Sequence, residues 1–184
     1  MATQIVNAAD SAQVLMLPSS FCAPFWYAAY TRANHEKRVA ELLGTRKLEH
    51  FLPLYASVRR WKDRRVTLEL PLFPGYVFVR LALRDRLQVL QIPGIAKLVG
   101  FNGIPTALPE GEIEALRTSL ARGARAEPHP HLTAGRRVRV RDGSFASLEG
   151  ILVRKKNSTR FVISLDLIMR SVAVDIESSQ VEPI

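Results

Sequence analysis

Pro71-Leu72-Phe73-Pro74-Gly75-Tyr76-Val77-Phe78-Val79-Arg80-Leu81 is the stretch that decides the fold. Two prolines and a glycine punctuate its first half. Residues 76–81 then run almost continuously apolar, rich in aromatic and β-branched side chains, which predicts a turn feeding a central strand. Toward the N-terminus, Val66, Leu68 and Leu70 alternate with Thr67 and Glu69, the period of a half-buried strand. Residues 61–64 read as a hairpin tip, preceded by a strand around 48–55 that Pro53 interrupts. Val39, Leu42 and Leu43 fall at i, i+3 and i+4 and predict a helix, with Asn34 as N-cap and Gly44 as terminator. The aromatic run 25–30 predicts the first strand. Toward the C-terminus, a turn at Pro93-Gly94 precedes a short strand at 97–99. A second helix follows over 109–120, with Ile113, Leu116 and Leu120 on one face and Glu110 and Glu112 in its first turn. The order is that of an α+β domain, an antiparallel sheet flanked by helices, spanning 25–121.

Beyond it, residues 122–133 have no period and carry Pro128 and Pro130, so they read as a linker. Residues 134–184 are long enough for a small all-β barrel, with strands expected at 136–141, 149–154, 160–166, 170–175 and 180–183. Arg137, Arg139 and Arg141 alternate with Val138 and Val140, which puts three guanidiniums on one face. Asp142-Gly143 suits a turn, Phe145 an apolar cap for one end of the barrel, and Gly150 a close backbone approach. Residues 1–24 carry one charge, Asp10, and read as a flexible leader.

The chain of 184 residues has 26 Lys+Arg against 17 Asp+Glu, a net charge of +9. Of that excess, +6 lies in residues 26–80 and +3 in 135–184, so it belongs to the two folded segments. A basic surface attracts phosphate backbones. Cys22 is the only cysteine, which excludes an internal disulfide and a cysteine-based metal cluster and fits a reducing cytoplasm. The four histidines, at 35, 50, 129 and 131, form no metal-ligand spacing, and no phosphate loop or dinucleotide glycine motif occurs. An enzyme is not expected, nor any cofactor or metal. No apolar run is long enough to span a membrane.

Val138-x-Val140-x-Asp142-Gly143-x-Phe145-Ala146 with Gly150 at its offset resembles a KOW domain. Trp26-Tyr27, Glu36-Lys37-x-Val39, Phe51-x-Pro53, Pro71 to Val79 and Pro93-Gly94, in that order and followed by a KOW pattern, resemble the NusG/Spt5 family of transcription elongation factors. The likeness covers residues 25–184. His35-Glu36-Lys37, Phe51-Leu52-Pro53-Leu54-Tyr55 and Arg60-Trp61-x-Asp63-Arg64 are most similar to the specialised UpxY-type antiterminator paralogues. Where the housekeeping factor has Phe-Gly-Arg near the end of its KOW domain, this chain has Ile168-Met169-Arg170.

The resemblance implies a monomeric cytoplasmic factor that binds RNA polymerase and suppresses pausing or termination on particular long operons. Two alternatives stay open: a housekeeping factor and an RNA-binding, ribosome-associated KOW protein. It implies contact of Tyr30 and Phe73 with the clamp helices of the largest polymerase subunit, and proximity to the second-largest subunit. Arg32, His35, Lys37 and Arg38, with Arg60, Trp61, Lys62 and Arg64 at the hairpin tip, would face upstream or non-template DNA. Trp61 either stacks on an unpaired base or packs the tip. The loop Leu167, Ile168, Met169 and Arg170 would present an exposed apolar tip to the small-subunit ribosomal protein of antitermination complexes. Loss of the family glycine at 169 puts Rho binding in doubt.

Overall fold

The structure is a computed structural model that describes residues 19–61, 64–129, 135–143, 145–155, 158–176 and 178–184. The expected leader falls mostly outside these residues, except for a short helix α1 (Ser19–Cys22). The N-terminal domain then runs β1 (Phe25–Thr31), α2 (Glu36–Thr45), β2 (His50–Phe51), β3 (Leu54–Trp61), β4 (Arg64–Pro71) and β5 (Tyr76–Leu81). It continues through α3 (Arg86–Leu90), β6 (Ile95–Leu98), β7 (Gly100–Phe101), β8 (Ile104–Pro105) and α4 (Glu110–Ala121). Strands β2, β5, β1 and β6 form an antiparallel sheet in that order, so the apolar run 76–81 is an interior strand as its composition predicts. Strands β3 and β4 pair only with each other, in register from Leu54↔Pro71 to Trp61↔Arg64, and make a separate two-stranded ribbon.

The two faces of the sheet bury different sets, as the two-residue period of a strand requires. Tyr27, Ala29, Val77 and Val79 pack with Val39 and Leu43 of α2 and with Val89, Ile92 and Leu98. Trp26, Ala28 and Phe78 face the other way, toward Leu108, Ile113 and Leu116 of the α4 region. Polar contacts fix α4 there. The Trp26 Nε1–H donates to Glu114 at 3.0 Å, and Arg80 reaches Glu110 at 2.7 Å. Arg117 bridges Glu114 and Glu49 at 3.0 and 3.2 Å.

The helix over 36–45 begins one residue later than an Asn34 cap would allow. Asn34 lies at φ 61, and His35 is the capping residue without a side-chain bond. At the other end the helix passes Gly44, and Lys47 takes the left-handed conformation at φ 57.

The C-terminal domain comprises β9 (Ala126–His129), β10 (Arg136–Val140), β11 (Glu149–Lys155), β12 (Ser158–Leu165), β13 (Arg170–Asp175) and β14 (Val181–Pro183). They form one antiparallel sheet in the order β14-β10-β11-β12-β13-β9. The alternation in the sequence is realised: Val138, Val140, Phe161, Ile163, Val172 and Val174 are all buried in one apolar cluster. Phe145 joins it at 7% exposure. Gly143 sits at φ 86 in its turn, and a Cβ on Gly150 would stand 2.5 Å from the Phe161 ring and from the Val162 carbonyl oxygen.

Strand β9 lies inside the stretch expected to be linker. Its sequence, Ala-Glu-Pro-His, has no alternation, and its place is set by partners elsewhere: it pairs with β13, and Arg160 joins Glu127 at 2.7 Å and Asp175 at 3.2 Å. The two domains share one continuous apolar cluster. It runs from Trp26, Phe73 and Phe78 through Leu108 and Ile113 to Leu165 and Ile168.

Candidate functional site

Phe73-Pro74-Gly75-Tyr76 forms a tight turn in which the Tyr76 N–H donates to the Phe73 carbonyl at 3.1 Å. Proline presets φ at the second position, and Gly75 supplies φ 87 at the third, where a side chain would be strained. Two further bonds pin the turn, one to the sheet and one to α2. The Thr31 N–H donates to the Gly75 carbonyl at 2.8 Å, and the Gly75 N–H donates to Glu36 Oε1 at 2.7 Å. Glu36 is buried at 5% exposure, so its carboxylate is a structural acceptor reaching across 39 residues. Tyr30 stands beside the turn, 42% exposed, with its ring 5.5 Å from that of Tyr76. A rigid aromatic next to a locked turn is a surface suited to anchoring a partner.

Phe73 is not part of that exposed surface. It is 2% exposed, with its ring edge-on to Phe78 at 5.3 Å, and it belongs to the cluster shared with the C-terminal domain. The loop expected to present an apolar tip is also folded in. Residues Asp166–Ile168 form one 3-10 turn. Ile168 is 4% exposed within the shared cluster, and Leu167 packs against it. Only Met169, 63% exposed, and Arg170 project. Met169 adopts φ 51, ψ 44, the left-handed geometry natural to glycine. Leu167 and Asp166 face Leu108, Pro109 and Glu112 across a cleft of about 160 Å³, which places the loop against the start of α4.

The basic residues expected to meet nucleic acid fall on two elements. Arg32, Lys37 and Arg38 are exposed around the start of α2, and His35 is half-buried beside Gly94, with Arg32 N–H donating to the Gly94 carbonyl at 2.8 Å. Arg60 and Arg64 are exposed at the end of the β3–β4 ribbon together with Arg59 and Arg65. Arg60 pairs directly with Arg65 across the ribbon. Like charges placed opposite each other destabilise a two-stranded pair, so this tip favours an anionic partner. Lys62 lies outside the described residues, as does the side chain of Trp61. Arg137 and Arg139 of β10 and Arg141 just after it are engaged internally. Glu149 receives Arg139 at 2.6 Å and Arg137 at 3.7 Å, and Arg141 donates to the Ser179 carbonyl at 2.9 Å. The hydrogen bond from Arg139 holds the Glu149 carboxyl below its ordinary value.

A family model described as "Transcription termination factor nusG" matches residues 24–117, the whole α+β domain up to the last turn of α4. The chain belongs to the NusG family. Members of the NusG family are transcription factors, and similar proteins along nearly the full length carry the same description. "Transcription termination/antitermination protein NusG" of Rickettsia prowazekii (strain Madrid E) is 25% identical over 170 residues, covering 85% of this chain and 88% of that protein. The protein of the same name from Escherichia coli (strain K12) is 28% identical over 173 residues, covering 85% and 94%. The solved structure "Domain interaction in Thermotoga maritima NusG" superposes with a TM-score of 0.52 at 20% identity, covering 88% of this chain and 97% of that one. The NusG fold, an α/β domain joined to an all-β domain, is therefore common to both.

Two residues stand out that sequence reasoning did not place in a site. Glu36 is visible in the sequence only as part of a motif, and its role appears once Gly75 is brought to it. Glu112 reads as a first-turn acid of α4, yet it lies at the junction of the domains opposite Asp166.

Proposed function

We propose that this chain is a bacterial elongation and antitermination factor that binds RNA polymerase and suppresses pausing or termination. Its cargo of targets is that of a specialised paralogue, a limited set of long operons. The observation that carries the reading is the Tyr30 face: an exposed aromatic beside a proline-glycine turn locked by a buried carboxylate. Such a surface anchors a helical partner, and the clamp helices of the largest polymerase subunit are the partner the family likeness offers. The basic ribbon tip and the start of α2 would then lie along upstream or non-template DNA, where backbone contacts position the protein without reading bases. No bond is made or broken in this mechanism. Binding shifts the polymerase toward its elongating state only as far as that state is held more tightly.

With Phe73, Leu167 and Ile168 inside the domain junction, the described arrangement is a closed one. Polymerase engagement through Phe73, and recruitment of a ribosomal protein or Rho through residues 167–170, both require the C-terminal domain to move away. Tyr30→Ala is the cleaner test of the polymerase surface, because Tyr30 is exposed whereas Phe73→Ala also removes core packing. Affinity-tagged full-length protein should retain polymerase from a bacterial extract, and Tyr30→Ala should lose it while unfolding at the same urea concentration. Equal retention by both proteins would reject the Tyr30 face. Mapping polymerase occupancy across the genome with and without this chain decides between a few operons and nearly all.

A further inference from the structure

A single row of side chains crosses the Tyr30 surface. Tyr30 pairs with Tyr76 of β5 on one side and with Lys97 of β6 on the other. Residues directly opposite each other in an antiparallel pair share a face, with Cβ atoms about 4.5–5.5 Å apart. Exposure rises along the row: Tyr76 is half-buried, whereas Tyr30 and Lys97 are exposed, the latter on the outermost strand of the sheet. Elsewhere on this domain Arg80 holds Glu49 and Glu110, and Arg117 holds Glu49 and Glu114. Lys97 has no ion pair among the described residues. The carboxylate that reaches this corner, Glu36, is buried and accepts the Gly75 N–H. Lysine on an edge strand commonly guards against pairing with a stray strand. Here a guard already exists: Tyr30 meets Lys97 but Thr31 meets Ile95, so Ala96 is the extra residue of a bulge beside Lys97.

We propose that Lys97 is a specificity residue of the Tyr30 surface: it pairs with a carboxylate on the helix that Tyr30 anchors. The proposal rests on the reading of that surface as the polymerase contact. Spacing sets what the partner must look like. Residues three or four apart along one face of a helix stand about 5–6 Å from each other. That matches the step from Tyr30 to Lys97, about the 4.8 Å between neighbouring strands. A helix laid along the row therefore puts an apolar residue on Tyr30 and an Asp or Glu, three or four positions away, on Lys97. Tyr30 supplies the anchoring area. Lys97 discriminates among apolar helices by disfavouring those with a basic residue at the facing position. Arg32, exposed and tied to the start of β6 through the Gly94 carbonyl, adds charge of the same sign at this corner.

The test uses the full chain, immobilised by an affinity tag, with purified bacterial core RNA polymerase in solution. Association and dissociation are followed by biolayer interferometry at about 0.05 M and about 0.5 M salt. At the lower salt, Lys97→Gln should weaken binding about threefold and Lys97→Glu about tenfold, mainly through a slower on-rate, with Lys97→Arg close to wild type. At the higher salt the Lys97→Glu defect should shrink to within about twofold. Lys97→Glu keeps a charge on the edge strand, so its defect is not a lost guard against strand pairing. Replacing the carboxylates of the clamp helices by Lys, one at a time, should find one change that restores binding to Lys97→Glu. Lys97→Glu that binds like wild type while Tyr30→Ala does not overturns the pairing and leaves the Tyr30 surface standing. A defect that no single polymerase change restores also overturns it, since the effect then belongs to net charge. Tyr30→Ala that binds like wild type rejects the surface and the pairing with it. Circular dichroism establishes that each variant is folded. If Lys97→Glu is not, Lys97→Gln decides: affinity equal to wild type at both salts rejects the pairing.

Discussion

Removing the Glu36 carboxylate should loosen the turn that carries Gly75 and with it the Tyr30 face. The carboxylate is 5% exposed and accepts the Gly75 N–H at 2.7 Å, a charge-assisted bond in a dry setting. Glu36→Ala leaves that amide with nothing to donate to, which costs about 1–3 kcal/mol. It also strips the Cγ methylene from the packed base of α2, worth about 0.8 kcal/mol when buried. A loss of about 3 kcal/mol results, or a fall in Tm of roughly 6–12 °C for a chain of this length. Glu36→Gln keeps an acceptor oxygen and loses only the charge, so about 1 kcal/mol is expected. Urea denaturation of the full chain, followed by circular dichroism and by tryptophan fluorescence with Trp26 buried in the same domain, measures both. The order Ala worse than Gln is the decisive part. Glu36→Ala within about 0.5 kcal/mol of wild type would mean that the turn holds itself and that the carboxylate is incidental.

Three further outcomes are expected. Met169→Gly relieves a left-handed non-glycine residue at an exposed position and should raise the urea midpoint, by about 1 kcal/mol in stability. Gly150→Ala should do the reverse, by about 1–3 kcal/mol, because its new methyl meets the Phe161 ring and the Val162 carbonyl at 2.5 Å; unchanged stability would show that β11 can bow outward. Replacing Arg60 and Arg64 with Gln should lower the slope of log affinity against log salt for duplex DNA by about 2, and an unchanged slope would remove the ribbon tip from the nucleic-acid surface.

The sequence made the strands of the C-terminal domain legible to within about two residues, because Val138/Val140, Phe161/Ile163 and Val172/Val174 alternate and Asp142-Gly143 can only turn. The same holds for β5, whose apolar run has no room for anything but an interior strand. Helix α3 was not expected, since five residues carry too little of a 3.6-residue period to register. Strand β9 was not expected either. Its sequence has no pattern of its own, and its pairing depends on β13 and on Arg160, residues more than thirty positions away. The family resemblance implies exposed positions for Phe73 and Ile168, and the structure covers both. Each is apolar and sits at the end of a turn, which is equally the sequence of an exposed anchor and of a buried one. Which of the two applies depends on where the second domain rests, and no local pattern encodes that. Tyr30, by contrast, is exposed although Trp26 and Ala28, on the same face of β1, are buried, so the two-residue period alone does not set its exposure.

Strand β9 also sets how far the C-terminal domain can travel. While β9 is zipped to β13, only residues 122–125 separate the end of α4 from the sheet, a tether of about 14 Å at full stretch. If β9 peels away, the tether becomes residues 122–135, about 48 Å at most. The domain thus has a short leash and a long one. On the short leash its local concentration beside α4 stays high even when the junction is open, so re-docking outcompetes distant partners. On the long one the same domain can search a volume tens of times larger for whatever it recruits. Arg160, which joins Glu127 of β9 to Asp175 of β13, adds two ion pairs to the ladder that keeps the tether short.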